Sequence, residues 1–241
     1  MSIILEGNIA IKAALLANKR NISKILVSKN KIDKDTGFIL NRAKDRNIEI
    51  VKTSKEEIDL MSIGKTHGGL IALCSPRVNQ NIDELSKAGI SGYYALIEGI
   101  EDPFNYGYIL RTLYAMGCNG VISRKRDWST VDSTIVKSSA GASEYINIYE
   151  YDNVDEIIQL SNKQDIPIIC AYRDNAISLD KFTFPENFII CIGGEMRGLS
   201  KEILSSSSFN LYIPYANEFR NALNGASAVS MLAYEIYRQR Q

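Results

Sequence analysis

The chain has 241 residues, 45% hydrophobic and 23% charged, which is enough for a sizeable core in one large domain or two smaller ones. A single histidine (His67) excludes a multi-histidine metal site or a two-histidine acid/base pair, and four scattered cysteines (Cys74, Cys118, Cys170, Cys191) with no C-x-x-C pair weigh against zinc and a disulfide framework. The net charge of zero hides an imbalance: residues 1–78 carry 14 Lys/Arg and 8 Asp/Glu, whereas residues 79–241 carry 14 and 20. A basic first third beside an acidic remainder suggests two domains, the first with an anionic partner such as nucleic acid. No run approaches the roughly 20 apolar residues that span a bilayer, and Met1 to Glu6 lack a signal-peptide layout, so the expected address is the cytoplasm.

In chain order, Glu6 to Asn18 has apolar residues at helical spacing, Ile22 to Ser28 is a β-branched run, Phe38 to Asp45 is helical and Ile48 to Thr53 strand-like. Ser54 to Glu57 has the Ser-x-x-Glu form of a capping box and opens a helix through Met61, and Gly69 to Cys74 is an apolar strand before Ser75-Pro76. Residues 79–92 are more polar and read as a linker with a short helix at Ile82 to Lys87. Strand candidates then recur at Tyr93 to Ile100, Gly120 to Ser123, Tyr145 to Tyr149, Ile166 to Ala171, Phe188 to Ile192 and Leu211 to Ile213. Helical patterns separate them at Tyr108 to Met116, Ser133 to Ala142, Val154 to Asn162, Lys201 to Ser205 and Ala222 to Arg240. Apolar strands alternating with helices predict an α/β fold with a parallel sheet covered on both faces, and ligands bind such sheets at the carboxyl ends of strands.

Three loops follow those ends. The first, Glu101 to Arg111, contains Asp102-Pro103 as a turn start, Asn105 as a helix cap and Arg111 about one helical turn further on. It reads either as a phosphate-positioning pair or as a capped helix with a solvated arginine. The second, Gly193-Gly194-Glu195-Met196-Arg197-Gly198-Leu199-Ser200, exposes backbone polar groups but is neither G-x-G-x-x-G nor a Walker A loop. Glu195 is either a loop carboxylate paired with Arg197 or a site residue. The third, Tyr215 to Ala228, carries small residues (Ala222, Gly225, Ala226, Ser227, Ala228) that suit a ligand or a close helix contact.

Taken together, Asp102-Pro103-x-Asn105-x-Gly107-x-Ile109-x-Arg111, Gly193-x-Glu195-x-x-Gly198-Leu199-Ser200 and Ile213-Pro214 followed by Leu223-Asn224 resemble the three motifs of the SpoU/TrmH family of RNA 2′-O-ribose methyltransferases, of the SPOUT class. Val136 to Glu144 is similar to the family's segment between the first two motifs, and the match spans residues 93–241. Residues 1–78 resemble the family's small α/β, ribosomal-protein-like substrate-binding domain, with His67 structural in its turn. The resemblance implies a parallel-sheet domain with a C-terminal trefoil knot, S-adenosyl-L-methionine as cofactor, no metal, a homodimer whose site borrows residues from both chains, and RNA as substrate, with rRNA favoured and tRNA the other candidate. It further implies that Asn105 orients the ribose hydroxyl, Arg111 clamps a phosphate, and Glu195 and Asn224 hold the loops and substrate. Ala171, Ile192, Gly193, Gly194, Ile213 and Leu223 would hold the cofactor. The third motif departs from the family pattern at Ala222, where a serine is usual, and the alternative is therefore an RNA-binding homologue that does not methylate.

Overall fold

A computed structural model describes residues 2–64, 66–194 and 196–241. Along the chain run β1 (Ile3–Glu6), α1 (Gly7–Ala17), β2 (Ile22–Ser28), α2 (Lys34–Asp45), β3 (Glu49–Thr53), α3 (Lys55–Met61) and β4 (Leu70–Cys74). There follow β5 (Gln80–Asn81), α4 (Ile82–Ala88), β6 (Tyr93–Glu98), α5 (Pro103–Ala115), β7 (Gly120–Arg124), α6 (Asp132–Ser138) and α7 (Ala142–Tyr145). The chain ends with β8 (Ile148–Tyr151), α8 (Val154–Gln164), β9 (Ile168–Ala171), β10 (Ile177–Ser178), β11 (Phe188–Gly193), α9 (Lys201–Ser205), β12 (Phe209–Tyr212) and α10 (Gly225–Gln239). None of these helices is long and apolar enough to cross a membrane.

The chain forms two compact units, one of residues 1–78 and 127–145, the other of residues 79–126 and 146–241. The first holds a four-stranded sheet in the order β1-β4-β2-β3. Here β4 pairs antiparallel with both β1 and β2, while β2 and β3 run parallel. Leu5, Ile11, Ile25, Ile39 and Leu70 form its core, and Val136 of α6 packs among them. Two expectations are corrected here. The boundary at residue 78 omits residues 127–145, which rejoin the first unit because Arg20 is fully buried between carboxylates of Asp132 and Glu144. Residues 79–92 are no linker: β5 pairs parallel with β8, and Ile82 and Leu85 of α4 enter the second unit's core.

The second unit is an eight-stranded sheet in the order β10-β12-β9-β11-β6-β7-β8-β5, parallel throughout. The parallel α/β expectation holds, and the apolar runs are buried as predicted: Tyr93, Ala95, Leu96 and Phe188 to Cys191 are almost fully inaccessible. On one face α5 and α10 pack together. Tyr93 stacks on Phe188 at 5.6 Å, with the Arg240 guanidinium over both rings. All four cysteines are free and buried. Burial pushes the thiol of Cys74 up to about 11 and that of Cys118 up to about 12, so they behave as small hydrophobes.

Candidate active site

From β6 the chain moves to β7 and β8 on one side, whereas β9, β11 and β12 lie on the other. The carboxyl ends of β6 and β11 therefore flank the point where strand order reverses, the usual ligand crevice of such sheets. Their loops are laced together there. The Gly194 N–H donates to the Glu98 carbonyl at 2.7 Å, the Ser200 N–H donates to Glu98 Oε2 at 2.8 Å, and the Gly198 N–H donates to the Gly194 carbonyl at 2.9 Å.

The glycines are dictated by close approach. A Cβ on Gly194 would stand 2.1 Å from the Gly99 carbonyl oxygen, and one on Gly193 2.4 Å from the Gly198 carbonyl carbon. Both contacts are with main chain, which cannot swing aside. Beside them the Ser200 Oγ is buried without a hydrogen-bond partner among the described residues, an orphaned donor that a bound ligand could satisfy.

The third loop is built around Tyr215. Its hydroxyl accepts the Leu223 N–H at 3.2 Å, its ring lies 6.0 Å from that of Phe219, and the Arg173 guanidinium sits 4.9 Å above it. The last contact ties this loop to the one that follows Ala171, the last residue of β9. A Cβ on Gly225 would meet Ile100 Cδ1 at 3.0 Å, so the start of α10 lies close to the first loop. The structure thus gathers Gly193 and Gly194 at β6, pairs Ile192 with Ile97 and Ala171 with Leu211, and leaves Ile213 and Leu223 half-buried along the third loop.

The four residues assigned to catalysis fare differently. Helix α5 starts at Pro103 with Asp102 as its cap, which accepts the Asn105 N–H at 2.8 Å. Asn105 is therefore the third helical residue and not the cap, and its own amide makes no hydrogen bond to the described residues. Arg111 is the ninth residue of α5, about 12 Å along the axis from Pro103 and about 120° round the helix from Asn105. The expectation that it lies one turn from the helix start is thus corrected, because Asp-Pro begins the helix itself. Arg111 is exposed on the stripe that carries Phe104 and Tyr108. Asn224 is the N-cap of α10, with its Oδ1 accepting the Ser227 N–H at 2.8 Å. Its NH₂ and the second lone pair of Oδ1 are left for a ligand. Glu195 lies outside the described residues.

Sequence reasoning missed Glu98 and Tyr215. A carboxylate closing an apolar strand just before a glycine was a usable signal for Glu98; nothing local marks Tyr215. Among the described residues, no cluster of three or more His, Cys, Asp or Glu could hold a metal ion.

Comparison with known proteins agrees with this architecture. The pattern of the SpoU rRNA Methylase family matches residues 93–234, and that of RNA 2′-O ribose methyltransferase substrate binding matches residues 4–80. A protein of Staphylococcus aureus (strain MSSA476), named for the TrmH family of tRNA/rRNA methyltransferases, is 29% identical over 98% of this chain and 96% of its own length. Among solved structures, an rRNA methyltransferase from Sinorhizobium meliloti matches with a TM-score of 0.82 at 18% identity, covering 100% of this chain and 88% of that one. The SpoU methyltransferase AviRb from Streptomyces viridochromogenes, in complex with AdoMet, matches with a TM-score of 0.81 at 20% identity, covering 99% and 90%. These structural likenesses speak for the fold; the family match spans more than half of the chain and both of its parts. The chain belongs to the SpoU/TrmH family of RNA methyltransferases.

Proposed function

We propose that this protein transfers a methyl group from S-adenosyl-L-methionine to a ribose 2′-hydroxyl of RNA, ribosomal RNA being the favoured substrate, as a cytoplasmic homodimer. The observation that carries the cofactor assignment is the crevice between β6 and β11. Its walls are main chain held by Gly193 and Gly194, with Ser200 Oγ making no hydrogen bond to the described residues. Such a surface offers amides, carbonyls and a hydroxyl to a polar nucleoside edge, and the group fits the donor set present. The preference for ribosomal RNA follows the family pattern matched over residues 93–234; tRNA is the competing substrate.

When bound, S-adenosylmethionine supplies a methyl group on a sulfonium that is already electrophilic. The protein's task is then alignment and proton removal. Asn105, in the first turn of α5 with a side-chain amide that makes no hydrogen bond to the described residues, orients the ribose hydroxyl. Arg111 grips the adjacent phosphate through its planar fork. Arginine does not give up its proton in proteins, so the hydroxyl proton leaves to that phosphate or to water. Glu98 holds the second loop through Ser200, and Tyr215 holds the third through Leu223. Glu195 and Asn224 are assigned to substrate, and Ala171, Ile192, Ile213 and Leu223 to the cofactor.

The dimer assignment rests on Arg111 and its surroundings. Arg111 lies two turns from its own chain's loops, on a helix pair that exposes Phe104, Tyr108 and Tyr114 of α5 and Met231, Tyr234 and Tyr237 of α10. A second copy covering that apolar face would bring each Arg111 toward the partner's crevice. The trefoil threading belongs to the same reading; it is supported by the late strands β11 and β12 being seated between strands formed earlier in the chain.

Calorimetry tests the cofactor assignment. S-adenosylmethionine should bind equally well with and without a chelator, and Gly194→Ala should weaken it at least about tenfold, since the new methyl collides with the Gly99 carbonyl. Binding lost on chelation, or kept in Gly194→Ala, contradicts the site.

A further inference from the structure

A second cavity lies wholly within the first unit. It has a volume of about 780 Å³, within the roughly 300–1,000 Å³ of small-molecule sites. It opens at the carboxyl ends of the parallel strands β2 and β3, between the turn after β2, both ends of α3 and the glycine turn before β4.

Its walls are rigid. His67 is almost fully buried, and both ring nitrogens are engaged: Nδ1 accepts the Gly69 N–H at 3.1 Å, and Nε2 donates to Asp59 Oδ1 at 2.7 Å. The imidazole thereby pins the end of α3 to the glycine turn. Gly69, with φ +78°, packs so closely that a Cβ would meet that of Ser28 at 3.1 Å.

The lining sorts into four chemistries, one of them the Asp59 carboxylate, whose Oδ1 is taken up by His67 at the end of α3 away from Lys55 at its start. Lys31 and Lys55 supply positive charge. Lys31 touches Asp33 at 3.0 Å, but that carboxylate also accepts from Thr36 and Asn8; Lys55 meets no carboxylate among the described residues. Asn30 and Ser28 supply neutral donors and acceptors, and Ile63, 71% exposed, supplies an apolar face at the rim. A bare anion would need only the lysines.

We propose that this cavity seats one unstacked nucleotide of the substrate RNA, its phosphate on Lys31 and Lys55, its base against Ile63 and its polar edge on Asn30. Single-stranded RNA is read by splaying bases into such sites. The inference rests on the reading of the protein as an RNA methyltransferase and adds where the first unit holds the RNA. His67 is a positioning residue here, since neither nitrogen is left for a ligand.

The test uses the full-length protein and fluorescein-labelled fragments of bacterial ribosomal RNA, titrated by anisotropy at several salt concentrations. Lys31→Gln/Lys55→Gln should weaken binding about tenfold and lower the salt slope by about one. Asn30→Ala should cost a few-fold with the slope unchanged, and Lys44→Gln, on α2 and outside the cavity, should match wild type. Lys44, Lys55 and Asn30 are exposed whereas the Lys31 side chain is 16% exposed, so urea unfolding of each variant reports that the first unit is folded. Wild-type affinity in the double variant, or an equal loss in Lys44→Gln, overturns the site while leaving the RNA reading intact. No RNA binding by the wild type overturns both. In competition, a mixture of ribonucleoside monophosphates should displace RNA better than inorganic phosphate; equal displacement overturns the nucleotide assignment.

Discussion

Replacing Arg20 with methionine is expected to lower the stability of the first unit by about 3–5 kcal/mol, the range for removing one partner of a buried ion pair. All five guanidinium N–H groups are used. Nε and Nη2 donate to the Glu144 carboxylate at 2.9 and 2.7 Å, Nη1 and Nη2 to Asp132 at 2.7 and 3.1 Å, and Nη1 to the Ser75 carbonyl at 3.3 Å. The side chains of Arg20 and Glu144 are both fully inaccessible. Burial works against the arginine's charge, but the hydrogen bonds to Asp132 and then Glu144 outweigh it, and its affinity for the proton rises. Without the guanidinium a buried carboxylate is left with no equal partner. Arg20→Lys keeps the charge with at most three donors and should fall between. Neutralising the carboxylates alongside, as Arg20→Met/Asp132→Asn/Glu144→Gln, should recover part of the loss. Urea unfolding measures all three. A loss below about 1 kcal/mol in Arg20→Met would show that the network is incidental to the first unit.

The second large effect concerns Arg111. Lysine there keeps a positive charge and loses the planar fork, so Arg111→Lys is expected to cut methyl transfer by about two orders of magnitude, as misplacement of reacting groups does. Exposed as it is, Arg111 contributes little to folding, and cofactor affinity should stay near wild type. The loss should persist across the pH range. A lysine acting as base would instead recover activity as the pH approaches its ordinary value of about 10.4. A single-turnover pH–rate profile at saturating RNA separates the two, and recovery at high pH would assign Arg111 to proton abstraction.

The central strands of the second unit, β6, β9 and β11, were legible because each is a nearly continuous apolar run, as a strand buried on both faces must be. Short strands were not. Ile3 to Glu6 carries too few residues to show a period, and it becomes a strand by pairing with β4, Ile3 opposite Cys74. The helix read over Ser133 to Ala142 breaks after Ser138 because Ala140 and Gly141 adopt left-handed φ values of +51° and +82°. A Cβ on Gly141 would stand 2.6 Å from that of Ala13, so the break lets the chain press against α1. The partnership of Arg20 with Glu144 spans 124 residues, and no local pattern announces it. It is what returns residues 127–145 to the first unit. Deleting residues 1–78 to test RNA binding would therefore strip Val136 and Glu144 of their surroundings, and point substitutions are the cleaner test.

The site divides along the same line. Gly193 and Gly194 could be found because close main-chain approach demands glycine, and Asp102-Pro103 carried the helix start that was placed too late at Tyr108. The role of Tyr215 depends on a hydroxyl reaching Leu223 across a loop, a tertiary contact without a sequence signature.

Nucleoside analysis of RNA tests the central claim most directly. Ribosomal RNA would be incubated with the protein and S-adenosylmethionine carrying an isotopically labelled methyl group, digested to nucleosides and separated by mass. The account predicts label in a 2′-O-methylated nucleoside, on the ribose fragment, and its loss with Arg111→Lys. Label on a base fragment, or none in RNA from a protein that binds both cofactor and RNA, would contradict it.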